Sequence, residues 1–201
     1  TRDLVTVKRS EAAVLAFSAL YVAAATPIAL ASSNQEFVFY IAVMLVLGGL
    51  AWVVHRRVGL TIPTLWGLSL WGLAHMAGGL WKVSEETGVL YNLWLIPNRL
   101  KYDQVVHAYG FALSTWVCWQ AVRGALRDPW PTPGLVILCA LGGMGLGAVN
   151  EIVEFVATLT VPETNVGGYV NTGWDLVANA TGATVAAVLI LVLDRGRATD
   201  R

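Results

Sequence analysis

The segment NTGWDLVANATG, residues 171–182, opens the last apolar run of the chain, which continues to about Leu193. It carries Asn171, Asp175 and Asn179, each four residues from the next. On a helix this spacing places the three side chains on one face. An ionisable group at membrane depth is costly and, by default, indicates a functional site. The segment therefore predicts a membrane helix that presents one polar face to a site within the protein.

The composition of the whole chain is that of an integral membrane protein. Of its 201 residues, 56% are hydrophobic and 13% are charged, whereas a soluble domain has about 25% charged residues. The mean hydropathy is +0.62. The formal net charge is zero, so there is no electrostatic basis for nucleic-acid binding. We expect membrane lipids as surroundings and no nucleic-acid partner.

Six apolar runs are long enough to cross a bilayer as helices, which takes about 20 residues each. They cover residues 12–31, 37–54, 60–81, 102–122, 133–159 and 171–193. The chain shows no internal repeat and no soluble second domain, so residues 1–201 are expected to form a single membrane domain. The predicted fold class is all-α, a polytopic transmembrane helical bundle of six spans.

Basic residues are unevenly divided between the two sides that six crossings create. One side carries only Lys82, Arg99 and Lys101. The other side, on which both termini lie, carries ten basic residues: Arg2, Lys8, Arg9, Arg56, Arg57, Arg123, Arg127, Arg195, Arg197 and Arg201. Because basic loops stay on the cytoplasmic side, this distribution predicts that both termini are cytoplasmic.

The polar residues of the other spans are expected at the same depth as those of the sixth. His75 lies about six residues from the outer end of the third span. Asp103 begins the fourth span and His107 is one turn deeper, while Glu151 and Glu154 lie in the outer third of the fifth. At about 1.5 Å per residue, these positions fall within about 10 Å of the outer boundary. Four helices of alternating direction therefore bring polar groups to one layer.

The spacing inside each helix indicates a metal site. Asp103 and His107 share one helical face, as do Glu151 and Glu154, and Asn150 lies four residues before Glu154. Carboxylates and imidazoles from facing helices build the metal sites of helical bundles. Such a mixed donor set suits Zn, Mn or Fe. The expected ligands of a divalent ion are His75, Asp103, His107, Glu151, Glu154 and Asp175.

The charge of this cluster must be neutralised in some way. Carboxylates buried together repel one another, and the residues leave open whether protons, a cation or a cationic ligand compensates them. The alternative is a purely structural role, in which each polar residue only forms a hydrogen bond between helices. If the cluster is an enzyme site, with or without a metal, the catalytic residues would be Asp103, His107, Glu151 and Asp175. The residues expected to orient them by hydrogen bonding are Asn150, Asn171 and Asn179.

Glycines predict where the helices pack most closely. Gly142, Gly143, Gly145 and Gly147 occur in the fifth run, and Gly182 occurs in the sixth. Small residues allow two helix backbones to approach each other without a hydrophobic driving force. We expect these helices to pack tightly around the polar site.

Four short motifs carry a resemblance to a known family: His75 with Gly78-Gly79, Tyr102-Asp103-x-x-x-His107, Asn150-Glu151-x-x-Glu154, and Trp174-Asp175. From about residue 37 onward the chain resembles the YjdF-like family of small bacterial inner-membrane proteins. The resemblance implies a six-span bundle in the bacterial inner (cytoplasmic) membrane. It implies no particular activity, because that family has no settled one to transfer.

The last two spans are also similar, more remotely, to the VanZ-like family of glycopeptide-resistance membrane proteins. The similarity rests on an acid, an outer loop and the pattern Trp-Asp175-x-x-x-Asn179-x-x-Gly182. Asn171-Thr172 departs from the Asp-Thr expected of YjdF-like sequences, and Thr172 stands where VanZ-like sequences often have a second Asp. One carboxylate of the family pattern is therefore missing here.

Three functions fit these observations. The first is an intramembrane enzyme that acts on a lipid or lipid-linked substrate, with acids and imidazoles activating water or a hydroxyl. The second is a cation or proton transporter, although the inner halves of the last four spans offer only neutral polar residues. The third is an accessory structural subunit that binds protein partners in a larger membrane complex. The sequence favours the first.

Overall fold

A computed structural model describes residues 7–127 and 129–199. Six helices occur in these ranges: α1 (Arg9–Ala31), α2 (Gln35–Val58), α3 (Ile62–Leu80), α4 (Tyr102–Ala125), α5 (Pro133–Thr160) and α6 (Tyr169–Thr199). Each helix covers one of the six apolar runs, so the prediction of a mainly helical chain is confirmed. The single-domain organisation and the cytoplasmic termini stay predictions. Arg2 and Arg201 from the charge argument lie outside the described residues, as do the side chains of Arg195 and Arg197.

Four helices are long and apolar enough to cross a membrane, namely α1, α2, α5 and α6 up to Asp194. The helices α3 and α4 do not reach this hydropathy. The physical reason is clearest for α4, which packs against α2, α3, α5 and α6. A helix surrounded by protein can carry buried polar residues such as His107, Ser114 and Thr115. The six-span count therefore stays a prediction.

The helices α4 and α6 approach each other closely at Gly182. A Cβ atom on Gly182 would lie 1.9 Å from the carbonyl oxygen of Ala108, so only glycine allows the two backbones to come this near. On α5, a Cβ on Gly147 would lie 2.8 Å from the side-chain nitrogen of Asn179. The predicted packing role is confirmed for both glycines. It is wrong for Gly145, which faces open space.

Local signals in the sequence explain how α2 begins and ends. The side chain of Asn34 accepts a hydrogen bond from the backbone N–H of Phe37 at 3.0 Å, which satisfies one free donor of the first turn. Gly59 then ends α2 in the left-handed conformation, with φ of 75°. Only glycine adopts this conformation without a steric penalty. The start of α2 places Glu36 and Tyr40 beside the ends of α3 and α5.

The segment between α3 and α4 folds into two β-hairpins that the sequence did not predict. Strand β1 (Lys82–Ser84) pairs with β2 (Gly88–Val89), and β3 (Trp94–Ile96) pairs with β4 (Leu100–Lys101). A single 3₁₀ turn, Leu90–Asn92, separates them. It brings the ring of Tyr91 against α3, where a Cβ on Gly78 would lie 2.6 Å from that ring. The hairpin segment therefore packs onto the end of the bundle that carries the polar residues.

Candidate metal centre

His107 lies at the centre of a polar cluster built by three helices. Its Nε2 atom is 3.5 Å from Asp103 Oδ1 and 3.7 Å from Glu154 Oε1. Its Nδ1 atom is 3.0 Å from Asn179 Oδ1 and 3.5 Å from Glu151 Oε1. The imidazole is only 6% exposed. Both ring nitrogens of this buried imidazole therefore face acceptor oxygens.

The amide of Asn179 determines that Nδ1 of His107 carries a proton. Asn179 Nδ2 donates a hydrogen bond to Glu151 Oε1 at 3.3 Å, so the amide oxygen must face His107. An amide oxygen only accepts, and Nδ1 of His107 is therefore the donor. Nε2 faces Asp103 and Glu154, with a lone pair when the ring is neutral and as a second N–H donor when the ring is charged. In metal sites, this kind of hydrogen bond fixes the tautomer and orientation of a ligating histidine.

Asn179 reaches His107 because of the two glycines that bring the helices together. Gly182 lies one turn further along α6 and allows this helix to touch α4 next to His107, at Ala108. Gly147 on α5 leaves the volume that the Asn179 side chain occupies. With 1% exposure, Asn179 is sealed from solvent. The sequence pattern of small residues thus positions the hydrogen bond on which the tautomer depends.

Asp175 and Asp103 are joined through Asn171. The Asn171 amide nitrogen donates to Asp175 Oδ2 at 2.6 Å and to Asp103 Oδ2 at 3.4 Å. Its oxygen accepts from the Lys101 ammonium at 3.4 Å, which sets the orientation of the amide.

On α5, Asn150 donates to Glu154 Oε1 at 2.8 Å. All three predicted supporting amides therefore hydrogen-bond to a carboxylate of the cluster.

Two carboxylate oxygens of the cluster are buried without a hydrogen-bond partner. Among the residues that the structure describes, Glu151 Oε2 and Asp175 Oδ1 have none. Leaving a buried acceptor unsatisfied costs about 1–3 kcal/mol, and more for a charged group. The two oxygens belong to two groups of acids that share His107. A proton, a cation or a buried water would satisfy each of them.

The same side chains form two groups with the composition of a metal site. One group is Asp103, His107 and Asp175, and the other is His107, Glu151 and Glu154, each with one donor atom per residue within 4.8 Å of the others. Donor atoms that share an ion at about 2.1 Å lie at most about 4.2 Å apart. Small side-chain movements would bring the donor atoms of either group close enough to share an ion. One nitrogen and several carboxylate oxygens suit Zn, Mn or Fe.

His75 belongs to neither group. Its Nδ1 atom is hydrogen-bonded to the hydroxyl of Tyr91. Burial raises the pKa of the Tyr91 phenol well above its usual value, so the phenol is protonated and donates. Nε2 of His75 then carries the ring proton and has no lone pair for a metal. The ligand role of His75 stays a prediction, and this hydrogen bond disfavours it.

A cavity of about 80 Å³ lies beside the cluster. The residues that line it come from five helices and from the segments that connect them: Glu36, Tyr40, His75, Tyr91, Asn92, Lys101, Asp103, Glu154, Asn165, Val166, Gly167 and Asn171. The cavity therefore connects His75 with two of the carboxylates around His107.

Sequence reasoning did not include Glu36, Tyr40 or Lys101 in the site. Glu36 Oε2 accepts from the backbone N–H of Asn165 at 2.8 Å and from its side chain at 3.0 Å, which holds the 161–168 segment against α2. The second span was predicted to start at Phe37, so Glu36 was assigned to a loop. The sequence did offer one indication, because Glu36 is a carboxylate in the first turn of a long apolar helix.

Comparison with known proteins identifies the family. A family model described as "Predicted membrane protein (DUF2238)" matches residues 13–196. The chain belongs to this family. The YjdF-like family is the same one, so the resemblance seen in the motifs is confirmed. The VanZ-like similarity of the last two spans stays a prediction. No curated protein and no solved structure matches the chain.

Membership assigns the chain to the membrane proteins and agrees with its four long apolar helices. The matched region includes all the predicted site residues, from His75 to Asn179. The family description names no metal, substrate or reaction. The chemistry of the site therefore has to be argued from the arrangement around His107.

Proposed function

We propose that the chain binds one divalent metal ion, Zn, Mn or Fe, at the cluster around His107. The ion would be held by His107 Nε2 with Asp103 and Glu154, and Glu151 and Asp175 would complete its coordination. The observation that carries this proposal is the pair of buried, unpartnered oxygens, Glu151 Oε2 and Asp175 Oδ1. A divalent ion would stabilise both and would also reduce the repulsion among the surrounding carboxylates.

The activity we propose is that of an intramembrane enzyme acting on a lipid or lipid-linked substrate. When bound, a divalent ion polarises an oxygen of the substrate and makes a bound water more acidic. Glu151 is one catalytic candidate, because the amide of Asn179 orients its carboxylate beside the proposed ion. Asp103, His107 and Asp175 are the other catalytic candidates.

The proposed setting is the outer half of the bacterial inner membrane, with six spans and both termini in the cytoplasm. The support is the excess of basic residues on the side of the termini and membership in a family of membrane proteins. In this orientation the polar cluster faces the outer leaflet. A lipid headgroup would reach it through the cavity beside Asp103 and Glu154.

Transport of a cation or proton has less support. A pathway would need polar groups that continue from His107 along α4. The next hydroxyl groups along α4 belong to Tyr109, Ser114 and Thr115, and all three donate to backbone carbonyl oxygens. Their protons are therefore already engaged. A role as an accessory subunit remains the third alternative and would require protein partners.

Metal analysis of the detergent-purified protein tests the proposal. We expect about one Zn, Mn or Fe ion per chain in the wild type and its loss in Glu151→Gln/Asp175→Asn. Glu85→Gln is the matched control, because Glu85 is an exposed carboxylate paired with Lys82 at 2.6 Å. A folded wild-type protein without metal, after dialysis against each of the three ions, would refute the proposal.

A further inference from the structure

The proposed metal centre and its cavity bring together more carboxylates than one divalent ion offsets. Five carboxylates lie around them: Glu36, Asp103, Glu151, Glu154 and Asp175. His107 is neutral when Nδ1 donates to Asn179 and Nε2 is a ligand. When all five acids are ionised, one divalent ion and the Lys101 ammonium together offset three of the five charges. Protons or a further cation must then offset the other two, because an unpaired buried charge is unfavourable.

The cavity offers oxygen acceptors for a further cation. Tyr40 lines it and is 6% exposed, and its hydroxyl has no hydrogen-bond partner within the part of the chain that the structure describes. The carboxylates of Glu36 and Glu154 line the same space.

We propose that this cavity binds a primary ammonium group, held by oxygens of Glu36, Glu154 and Tyr40. The inference rests on the proposed metal centre and names the ligand class of the same site. An ammonium group has three N–H donors, which matches three acceptors. A quaternary ammonium has no such donor and binds less well. The group is supplied either by a free amine or by an ethanolamine-type lipid headgroup.

Calorimetric titration of the metal-loaded protein in detergent tests the ligand class. We expect one ethanolamine to bind per chain, and the affinity for choline to be at least tenfold lower. Tyr40→Phe removes one acceptor for a charged donor and should weaken ethanolamine about tenfold. Tyr109→Phe is the matched control, because its hydroxyl bonds to the Gly67 carbonyl outside the cavity. Glu36→Gln removes one charge and should weaken binding further.

Nanodiscs distinguish the two sources of the ammonium group. If the headgroup enters from the membrane, discs of phosphatidylethanolamine should compete with ethanolamine, and discs of phosphatidylglycerol should not. Native mass spectrometry should then show retained phosphatidylethanolamine in the wild type and less of it in Tyr40→Phe. If neither lipid competes while free ethanolamine still binds, the ligand is a soluble amine. Both results support an ammonium site.

Several results would overturn the inference. Two metal ions per chain would balance the charge without an ammonium group. Inorganic phosphate binding in place of ethanolamine, or ethanolamine binding unchanged in Tyr40→Phe, would also contradict it. Metal content is measured in the same samples, which separates the two proposals. One ion without ethanolamine binding refutes the ammonium site alone, and ethanolamine binding without any ion refutes the metal centre alone.

Discussion

Asn179 Oδ1 on α6 lies 3.0 Å from His107 Nδ1 on α4. This contact joins two residues that are 72 positions apart in the sequence. It leaves Nε2 facing Asp103 and Glu154. The proposed metal centre therefore depends on a residue that would not itself touch the metal.

Replacing Asn179 with Leu should weaken metal binding without removing a ligand. The Nδ1 atom would lose its nearest acceptor, at 3.0 Å, and only Glu151 Oε1 at 3.5 Å would remain to orient the imidazole. Changes to such outer-shell partners typically cost about 10–100-fold in metal affinity. A competition titration with a metal-sensitive dye measures the effect. Thr181→Ala is the control, because Thr181 is exposed and bonds only to Val177 of its own helix. Unchanged affinity in Asn179→Leu would contradict the proposed role.

Replacing Gly182 with Ala should destabilise the bundle. The new methyl group would meet the Ala108 carbonyl at 1.9 Å, and backbone cannot move aside as a flexible side chain does. Overpacking of this kind costs about 1–3 kcal/mol of unfolding free energy. Gly173→Ala on the same helix is the control, since its methyl group meets nothing within 4 Å. We expect a lower melting temperature for Gly182→Ala alone, measured by circular dichroism in detergent. Equal melting temperatures would show that α4 and α6 can separate without cost.

Removing the Glu11 carboxylate should destabilise the opposite end of the bundle. Glu11 Oε1 lies 3.2 Å from His55 Nε2, and Oε2 lies 3.5 Å from Arg56. Both Glu11 and His55 are almost fully buried. Breaking a buried ion pair by removing one partner costs about 3–5 kcal/mol. Glu11→Ala should therefore unfold at a lower denaturant concentration. Glu11→Gln keeps hydrogen-bonding atoms, so it should lose less stability than Glu11→Ala. If neither variant changes the unfolding midpoint, the contact between Glu11 and His55 has no role in stability.

Stability should fall at alkaline pH in part through Tyr91. Its pKa is raised by burial, so the folded protein holds the phenolic proton more tightly than the unfolded chain. The resulting stabilisation is complete below the unfolded pKa of about 10 and is lost as the pH rises towards the folded value. Chemical unfolding at pH 8 and at about pH 10.5 measures it. Tyr91→Phe should lose less stability between the two pH values than the wild type does. An identical pH dependence would mean that Tyr91 titrates normally.

The helices could be predicted from the sequence because apolar runs of this length have few alternatives in a bilayer. The spacing of Asp103 with His107 and of Glu151 with Glu154 likewise follows from helical periodicity. The hairpins escaped prediction because their strands are two or three residues long and show no periodic pattern. Helix boundaries were accurate to a few residues, and this margin was enough to leave Glu36 outside the predicted site.

The sequence by itself determined which residues are apolar enough for helices and which polar groups share a helical face, because both properties are local. Only the tertiary structure decided that Nδ1 of His107 donates to Asn179, that Tyr91 engages His75, and that Tyr40 lines the cavity. These contacts join residues that are far apart in the chain. They depend on how closely two helices approach, which at Gly182 is set by a single missing methyl group.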